Sequence, residues 1–276
     1  MTISYINKDS KEHYFYYLIQ GDCLEVMKKM KPDSINLIVT SPPYKIEGGF
    51  SEDLIENFII ESKRVLKNGR HLCLNFGMDL IGDKNIGFRT IHNPMHTAEK
   101  FAYMNNLHLY SAFVWKKRTH QKSFGSYPYP PNFLSNPNFE LIYIFKKEGI
   151  DTKPSNNIKE ISKLSQKEWL DFAIDSVWDI PPIEPTSKLR DILPENVYPF
   201  PREIPYRLIK MYSFVNEIIL DPFLGSGTTM KVAQDLRRNC IGIEINPKCI
   251  EIVKKQCFGQ KFLTREVKYK FIDWNI

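Results

Sequence analysis

The sequence predicts an α/β fold that is doubly wound around a mostly parallel sheet, and two observations lead to this prediction. Apolar runs of strand length alternate with segments of helical periodicity in the N-terminal half of the chain, from Tyr14 to Phe76. The same alternation returns in the last third, from Pro201 onward. Strands and helices in this order are typical of parallel sheets covered by helices on both faces.

The N-terminal half contains three predicted strands and two predicted helices. The strands are residues 14–20, 35–39 and 71–76, each an apolar or β-branched run that ends at a turn. A short helix lies between the first two strands. Ser51 is a candidate N-cap for the longer helix between the second and third, and Gly69 is its predicted end.

The rest of the chain divides into an irregular stretch and a second α/β part. Strands are predicted at residues 111–115 and 140–145, and the pattern then loosens into polar residues and prolines from 146 to 184. Order resumes with strands at 217–220 and 240–243 and a helix that starts at Asn246-Pro247. We therefore divide the chain into residues 1–145, an inserted region at 146–184, and residues 185–276.

Composition excludes several classes of protein. No apolar run approaches the roughly 20 residues that span a bilayer, and the N-terminus lacks the pattern of a signal peptide. Five cysteines without a C-x-x-C pair predict reduced thiols in a cytoplasmic protein, and neither a zinc site nor a disulfide framework. The net charge of +6 is compatible with a polyanionic partner but does not require one.

A basic cluster follows the strand at 111–115, and an aromatic residue lies just beyond it. The residues are Lys116, Lys117, Arg118, Lys122 and Tyr127. Lysine and arginine bind phosphates, and tyrosine rings stack on bases, so this segment is a candidate loop for binding a nucleic-acid backbone. A solvated strand end is the alternative that the sequence leaves open.

A glycine-rich segment, DPFLGSGTT at residues 221–229, follows the strand at 217–220 and opens a helix. Gly225 and Gly227 permit a tight turn, and the free N–H groups of a helix start attract an anion. Glu244 ends the next strand, where a carboxylate can bind both hydroxyls of a ribose. Asp221 and Phe223 suit a cationic sulfonium and an adenine ring.

These features together predict a binding site for S-adenosyl-L-methionine, whose amino-acid carboxylate would lie at the helix start. Ser226 and Thr228 belong to the same turn. A dinucleotide site is the rival, but Met230 occupies the position of the third glycine in the G-x-G-x-x-G fingerprint. A glycine-rich turn without any ligand is the other alternative.

A second motif, Ser41-Pro42-Pro43-Tyr44, stands at the end of the strand at 35–39. The two prolines have no N–H groups and a fixed φ, so the carbonyls of Ser41 and Pro42 are rigid acceptors. The Ser41 side chain and one such carbonyl can accept both hydrogens of a base amine, which turns its lone pair toward an electrophile. Tyr44 would stack on a base taken out of the double helix. In isolation, this tetrapeptide is more typical of a turn.

Residues 40–44 (TSPPY) together with residues 221–229 resemble the motifs of bacterial and phage amino-methyltransferases of DNA. Their order, with the catalytic motif first, resembles the circularly permuted β group of that family. The resemblance covers most of the chain and implies a seven-stranded methyltransferase sheet. It also implies that Asp22 faces the adenine end of the cofactor and that Phe200 lies near the methionine end. The inserted region at 146–184 stands where the family has its target-recognition region.

In this family S-P-P-Y usually marks enzymes that methylate cytosine N4, whereas an aspartate or asparagine in the first position usually marks adenine-N6 enzymes. Ser41 therefore implies direct methyl transfer to N4 of a flipped cytosine in double-stranded DNA, without a strong general base. The family resemblance also implies a cognate restriction endonuclease that acts on the same site. The sequence leaves open whether the protein forms a homodimer. Adenine N6, an RNA or protein amide substrate, and a cofactor-binding regulator stay open as alternatives. Asn75, at the end of a neighbouring strand, is a candidate for orienting Ser41 or the base.

Overall fold

The computed structural model describes residues 14–43, 51–83, 88–117, 124–125, 130–131, 133–135, 137–183, 192–194, 199, 201–258 and 267–273. Nine strands in these ranges form one sheet: β1 (Tyr14–Gln20), β2 (Ile35–Thr40), β3 (Leu66–Gly77), β6 (Leu107–Lys116), β9 (Phe139–Lys147), β10 (Val177–Asp179), β11 (Ile218–Asp221), β12 (Asn239–Glu244) and β13 (Val267–Asp273). Four further strands form two separate ribbons: β4 (Asp79–Asp83) with β5 (Phe88–His92), and β7 (Phe124–Gly125) with β8 (Phe133–Leu134).

The helices described are α1 (Cys23–Lys28), α2 (Glu52–Val65), α3 (Pro94–Met104), α4 (Asn156–Ser162), α5 (Gln166–Trp169), α6 (Glu203–Tyr212), α7 (Thr228–Asp235) and α8 (Pro247–Val253). Wider π turns continue α5 over Leu170–Ile174 and α8 over Lys254–Phe258. Ser51 caps α2, as predicted, by accepting a hydrogen bond from the amide of Leu54 at 3.2 Å. None of the helices in the described ranges combines the length and apolarity needed to cross a bilayer.

The sheet is mostly parallel, as the sequence predicts, but the expected count of seven strands is wrong. The strand order is β10-β6-β9-β3-β2-β11-β12-β1-β13, and β9 runs antiparallel to its neighbours β3 and β6. The two additional strands lie at the edges, where β10 pairs with β6 and β13 pairs with β1. An edge strand forms where a neighbouring strand offers free backbone groups, and its own sequence need not show a strand pattern.

Helices cover both faces of the sheet, which confirms the doubly wound fold. On one face α1, α2 and α3 bury Met27, Phe58 and Phe101 against the sheet. On the other face α6, α7 and α8 pack through side chains such as Leu208 and Val232. The five cysteines are free thiols buried in this protein interior.

The predicted helix end at Gly69 is wrong. Helix α2 ends at Val65, and the chain passes directly into β3 at Leu66. Gly69 lies inside β3 at φ +74°, where a Cβ atom would stand only 2.8 Å from the backbone nitrogen of Asp151. The glycine thus allows residue 151 to approach the strand and does not cap a helix.

The inserted region at 146–184 is an excursion over α6 that returns to the sheet. Ser162 at the end of α4 accepts a hydrogen bond from the amide of Val215 at 2.9 Å. Arg207 of α6 donates to the carbonyl of Asp171 at 3.0 Å. The segment then enters the sheet as β10, beside the last residues of β6. Its expected role in target recognition is a separate matter and stays a prediction.

A buried polar network joins three strands at the amino-terminal edge of the sheet. Arg70 of β3, only 3% exposed, forms ion pairs with Glu217 and, at 2.7 Å, with Asp151. Glu217, just before β11, also accepts a hydrogen bond from Asn36 of β2 at 3.2 Å. Burial raises the pKa of Glu217, and the nearby Arg70 guanidinium opposes this rise.

We expect Arg70→Met to destabilise the protein by about 3–5 kcal/mol, because it leaves the Glu217 carboxylate buried without its cation. Urea unfolding followed by circular dichroism measures this. Lys163→Met is the matched control, since it removes a lysine from an exposed pair with Glu160 and should leave the midpoint unchanged. Equal midpoints for the two variants would contradict the assigned role of Arg70.

Candidate functional site

The two predicted motifs meet at the carboxyl edge of the sheet. Strands β2, β11, β12 and β1 lie side by side in that order. Their ends lead into Ser41, the glycine-rich segment at 221–229, Glu244 and Asp22 respectively. The register aligns these ends, since Asp221 pairs with Gly242 and Gln20 pairs with Glu244. Segments that are far apart in the sequence therefore form one continuous site.

The glycine-rich segment forms the tight turn that the sequence predicts. Gly225 and Gly227 both adopt left-handed φ values, +56° and +92°, and Gly227 is the residue from which α7 starts. A Cβ atom on Gly227 would lie 3.0 Å from a methyl group of Val253, so a side chain there would have to displace Val253 and would also be strained by the left-handed φ. Leu224 anchors the turn to β12 by donating its amide hydrogen to the carbonyl of Ile243 at 2.9 Å. The start of α7 is thereby held at the carboxyl edge.

Glu244 is held rigidly beside this turn. Its carboxylate accepts hydrogen bonds from the amides of Gly225 and Asn246, both at 2.7 Å. Burial raises its pKa, and these backbone amides oppose the rise. Each carboxylate oxygen has a second lone pair, so Glu244 can still accept a hydroxyl hydrogen from a ligand. An oriented acid beside a helix start fits a ligand that carries both a ribose and an anionic group.

Asp221 connects the two halves of the site. It has no exposed surface, and its Oδ1 atom accepts hydrogen bonds from the Thr40 hydroxyl at 2.7 Å and the Phe223 amide at 3.1 Å. Burial raises its pKa to about 6. In this conformation Asp221 acts on the site by holding Thr40, the residue before Ser41, against the cofactor turn. Its direct contact with the cofactor stays a prediction.

Four other predicted cofactor residues, Phe223, Ser226, Thr228 and Asp22, lie along the same edge. Phe223 is half-buried and packs edge-to-face against Phe58, with ring centroids 5.5 Å apart. Ser226 is buried in the turn, 3.4 Å from the hydroxyl of Thr228. Asp22 is exposed and caps α1 by accepting from the amide of Leu24 at 2.9 Å. Phe200 lies outside the described residues.

In the catalytic motif, Ser41 is half-buried, Pro42 is buried and Pro43 is exposed, whereas Tyr44 lies outside the described residues. Asn75 of the neighbouring strand β3 directly follows Leu74, and Leu74 pairs with Thr40, the residue before Ser41. Asn75 is 1% exposed, and its amide group donates to the carbonyl of Leu141 at 3.1 Å. Its Oδ1 atom is buried without a hydrogen-bond partner among the described residues. A buried acceptor of this kind is unfavourable unless a further group completes it.

The structure describes only part of the predicted DNA-binding cluster. Lys116 is exposed at the end of β6. Lys117 is instead paired with the buried Glu140 of β9, and its ammonium group lies 5.2 Å from the centre of the Trp115 ring. Arg118, Lys122 and Tyr127 lie outside the described residues.

Sequence reasoning missed Thr40 and Glu140. Thr40 opens the TSPPY motif and Glu140 starts a predicted strand, but the sequence assigns neither a chemical role. Their partners, Asp221 and Lys117, reveal what they do. Within the described ranges, no group of three or more histidine, cysteine, aspartate or glutamate side chains is placed to hold a metal ion.

Comparison with known proteins agrees with this geometry. The family model for the N6_N4 DNA methylases matches residues 35–255. The chain is 29% identical to the Type II methyltransferase M.MjaI of Methanocaldococcus jannaschii, over 93% of this chain and 96% of that protein. It is 28% identical to the Type II methyltransferase M.MthZI of Methanothermobacter thermautotrophicus, over 96% of this chain and 81% of that protein.

Two solved structures share the fold. A DNA modification methylase of Thermus thermophilus, TTHA0409, crystallised with S-adenosyl-L-methionine, superposes with a TM-score of 0.78 over 95% of this chain and 99% of that chain, at 25% identity. The cytosine-N4-specific PvuII DNA methyltransferase gives a TM-score of 0.64 over 93% of this chain and 92% of that chain. Its identity of 19% makes that likeness one of fold alone.

The chain belongs to the N6_N4 family of DNA methylases, because the family model covers most of it. It is a DNA methyltransferase that uses S-adenosyl-L-methionine, as the sequence predicts. The cofactor supplies a methyl group activated by a sulfonium. The glycine turn, the start of α7 and the oriented Glu244 carboxylate fit its amino-acid and ribose groups.

We expect the stability of the wild type, relative to Asp221→Asn, to fall as the pH rises from about 4 to about 6. Across that range the folded state keeps a proton on Asp221 that the unfolded state has lost, so rising pH favours unfolding. Asparagine keeps an acceptor oxygen for Thr40 and the Phe223 amide but does not titrate. Thermal unfolding of both proteins across this range measures the effect, with the exposed Asp53→Asn as control. A difference between the two proteins that is independent of pH would contradict the prediction.

Proposed function

We propose that this enzyme methylates N4 of a flipped cytosine in a specific duplex site. The observation that carries the proposal is Ser41 in the first position of the S-P-P-Y motif, at the carboxyl end of β2 beside the cofactor turn. A hydroxyl there is a weaker acceptor than a carboxylate, so the proposed reaction relies on orientation more than on base strength. Adenine N6 is the alternative.

In the proposed mechanism, the Ser41 hydroxyl oxygen accepts one hydrogen of the base amine and the Pro42 carbonyl accepts the other. The Asn75 Oδ1 atom accepts the hydrogen of the Ser41 hydroxyl and so directs the serine lone pairs at the amine. This contact would complete the buried oxygen that lacks a partner among the described residues. The amine becomes more acidic once it is methylated, so its proton leaves after transfer and no strong base is needed.

The remaining expectations concern partners. Lys116, Arg118, Lys122 and Tyr127 would contact the DNA, whereas the ion pair with Glu140 leaves Lys117 less available for phosphates. Within the inserted region, β10 lies beside the last residues of β6 and therefore reaches the same edge as Ser41. The relatives M.MjaI and M.MthZI are Type II methyltransferases, which supports a cytoplasmic restriction-modification role with a cognate endonuclease. A homodimer is compatible with this role.

The methylated nucleoside that the enzyme produces identifies its target base. The purified chain is incubated with labelled S-adenosyl-L-methionine and unmodified duplex DNA, and the digested nucleosides are separated by mass. We expect N4-methylcytosine, and we expect Ser41→Ala to lower the rate without changing cofactor affinity. A product that contains only N6-methyladenine would refute the cytosine assignment. Transfer to RNA but not to duplex DNA would refute the proposed substrate class.

The role of Asn75 is tested by two variants. We expect Asn75→Ala to lower kcat by about 10- to 100-fold, because the Ser41 hydroxyl loses its orientation. Asn75→Asp keeps an acceptor oxygen but loses the hydrogen bond that Asn75 donates to the Leu141 carbonyl, so it should retain more activity than Asn75→Ala and less than the wild type. Cofactor affinity, measured by calorimetry, should be unchanged in both, and the exposed Asn57→Ala is the matched control. Equal losses in the alanine and aspartate variants would show that Asn75 does not act through its oxygen.

A further inference from the structure

The β4–β5 ribbon, formed by Asp79–Asp83 and Phe88–His92, extends from the edge of the sheet that carries the catalytic motif. Strand β3 ends at Gly77, two residues beyond Asn75, and the ribbon begins directly after it. At its other end the ribbon leads into Asn93, which caps α3 by accepting from the amide of Met95. Both ends of the ribbon are therefore anchored at the carboxyl edge.

Strand β5 of the ribbon is exposed on both of its faces. Its two strands pair with each other and belong to a sheet of their own. Every residue of β5 is exposed, and Phe88 is 64% exposed. Ile81 of β4 is 46% exposed and pairs with Thr90 of β5. Ile91, next to Thr90 in the same strand, is 45% exposed and lies on the face opposite to that of Thr90. A two-stranded ribbon that packs on no further strand is marginally stable by itself, so a surface that covers it would stabilise it.

The shape and chemistry of the ribbon suit a DNA groove. Five residues of extended chain span about 17 Å, and a two-stranded ribbon fits the major groove, which is about 12 Å wide. The exposed residues of β5 combine an apolar ring, Phe88, with hydrogen-bonding groups and the cation of Arg89. Strand β4 adds Asp79 and Asp83, opposite His92 and Phe88 in the register, and a carboxylate can accept from a cytosine amine. Such side chains bind base edges, thymine methyl groups and phosphates.

We propose that the β4–β5 ribbon enters the major groove of the substrate duplex next to the flipped base and contributes to sequence recognition. This inference rests on the proposed action on duplex DNA and adds a contact surface outside both the basic cluster and the inserted region. Its anchor points adjoin the strand that carries Asn75, so a ribbon seated in the groove sets the position of the target base relative to Ser41.

The position of the ribbon argues against contact with a second copy of the chain as its main role. Another exposed apolar group, Tyr103 and Met104 with Leu109 and Tyr110, lies at the end of α3 and the start of β6. That group is at the amino-terminal edge, far from the site, where a partner subunit would not obstruct DNA. A partner on the ribbon would instead cover the approach to the catalytic motif.

The test uses the full chain with Phe88→Ala and with the combined substitution of Arg89, Thr90 and His92 by alanine. These side chains are exposed, so the variants should fold, which circular dichroism checks. We expect the KM for duplex DNA to rise roughly tenfold or more in the triple variant, with unchanged cofactor affinity and an unchanged oligomeric state by sedimentation. Tyr103→Ala, which removes a ring that is 77% exposed at the opposite edge, should leave the KM for DNA unchanged.

The possible results distinguish a failure of the ribbon inference from a failure of the proposed function. If the wild type methylates duplex DNA and the ribbon variants have the same KM and site preference, the inference is overturned and the proposed function stands. If the variants instead change the sedimentation behaviour, the ribbon is a subunit contact. If the wild type transfers no methyl group to duplex DNA, the proposed function fails, and the inference fails with it.

Discussion

The hydrogen bond from the Thr40 hydroxyl to the Asp221 carboxylate, across 181 positions of sequence, is the contact on which the site depends. It is fully buried and joins the end of the catalytic strand to the start of the cofactor turn. Because Asp221 also accepts from the amide of Phe223, one carboxylate sets both segments at once. A methyl group moves in line from sulfur to nitrogen, so the enzyme needs such a rigid connection between the two halves.

Both edges of the sheet bury polar groups, with different partners. At the amino-terminal edge Arg70, Glu217 and Asn36 satisfy one another across three strands, which favours stability. At the carboxyl edge Asn75 keeps an acceptor without a partner among the described residues, and burial raises the pKa of Asp221. A buried acceptor without a partner beside the predicted catalytic motif is typical of a site that a substrate completes.

Several features were predictable because they depend on neighbours in sequence. Ser51 caps a helix through the amide three residues later, and Gly225 and Gly227 take the left-handed conformations that their turn requires. Gly69 was assigned wrongly because the residue that packs against it, Asp151, lies far along the chain. The same limit applies to Lys117, whose basic charge predicted a free cation until the fold placed Glu140 against it.

The sequence by itself predicted the α/β class, because strand and helix patterns alternate along much of the chain. It also predicted the left-handed glycines of the cofactor turn and the rigid S-P-P-Y tetrapeptide, because these depend on residues that are adjacent in sequence. Only the tertiary structure decided the strand order, the link through Asp221 and the exposure of strand β5. These depend on strand pairing between distant segments, and periodicity records which face of a strand is buried but not which strand lies next to it.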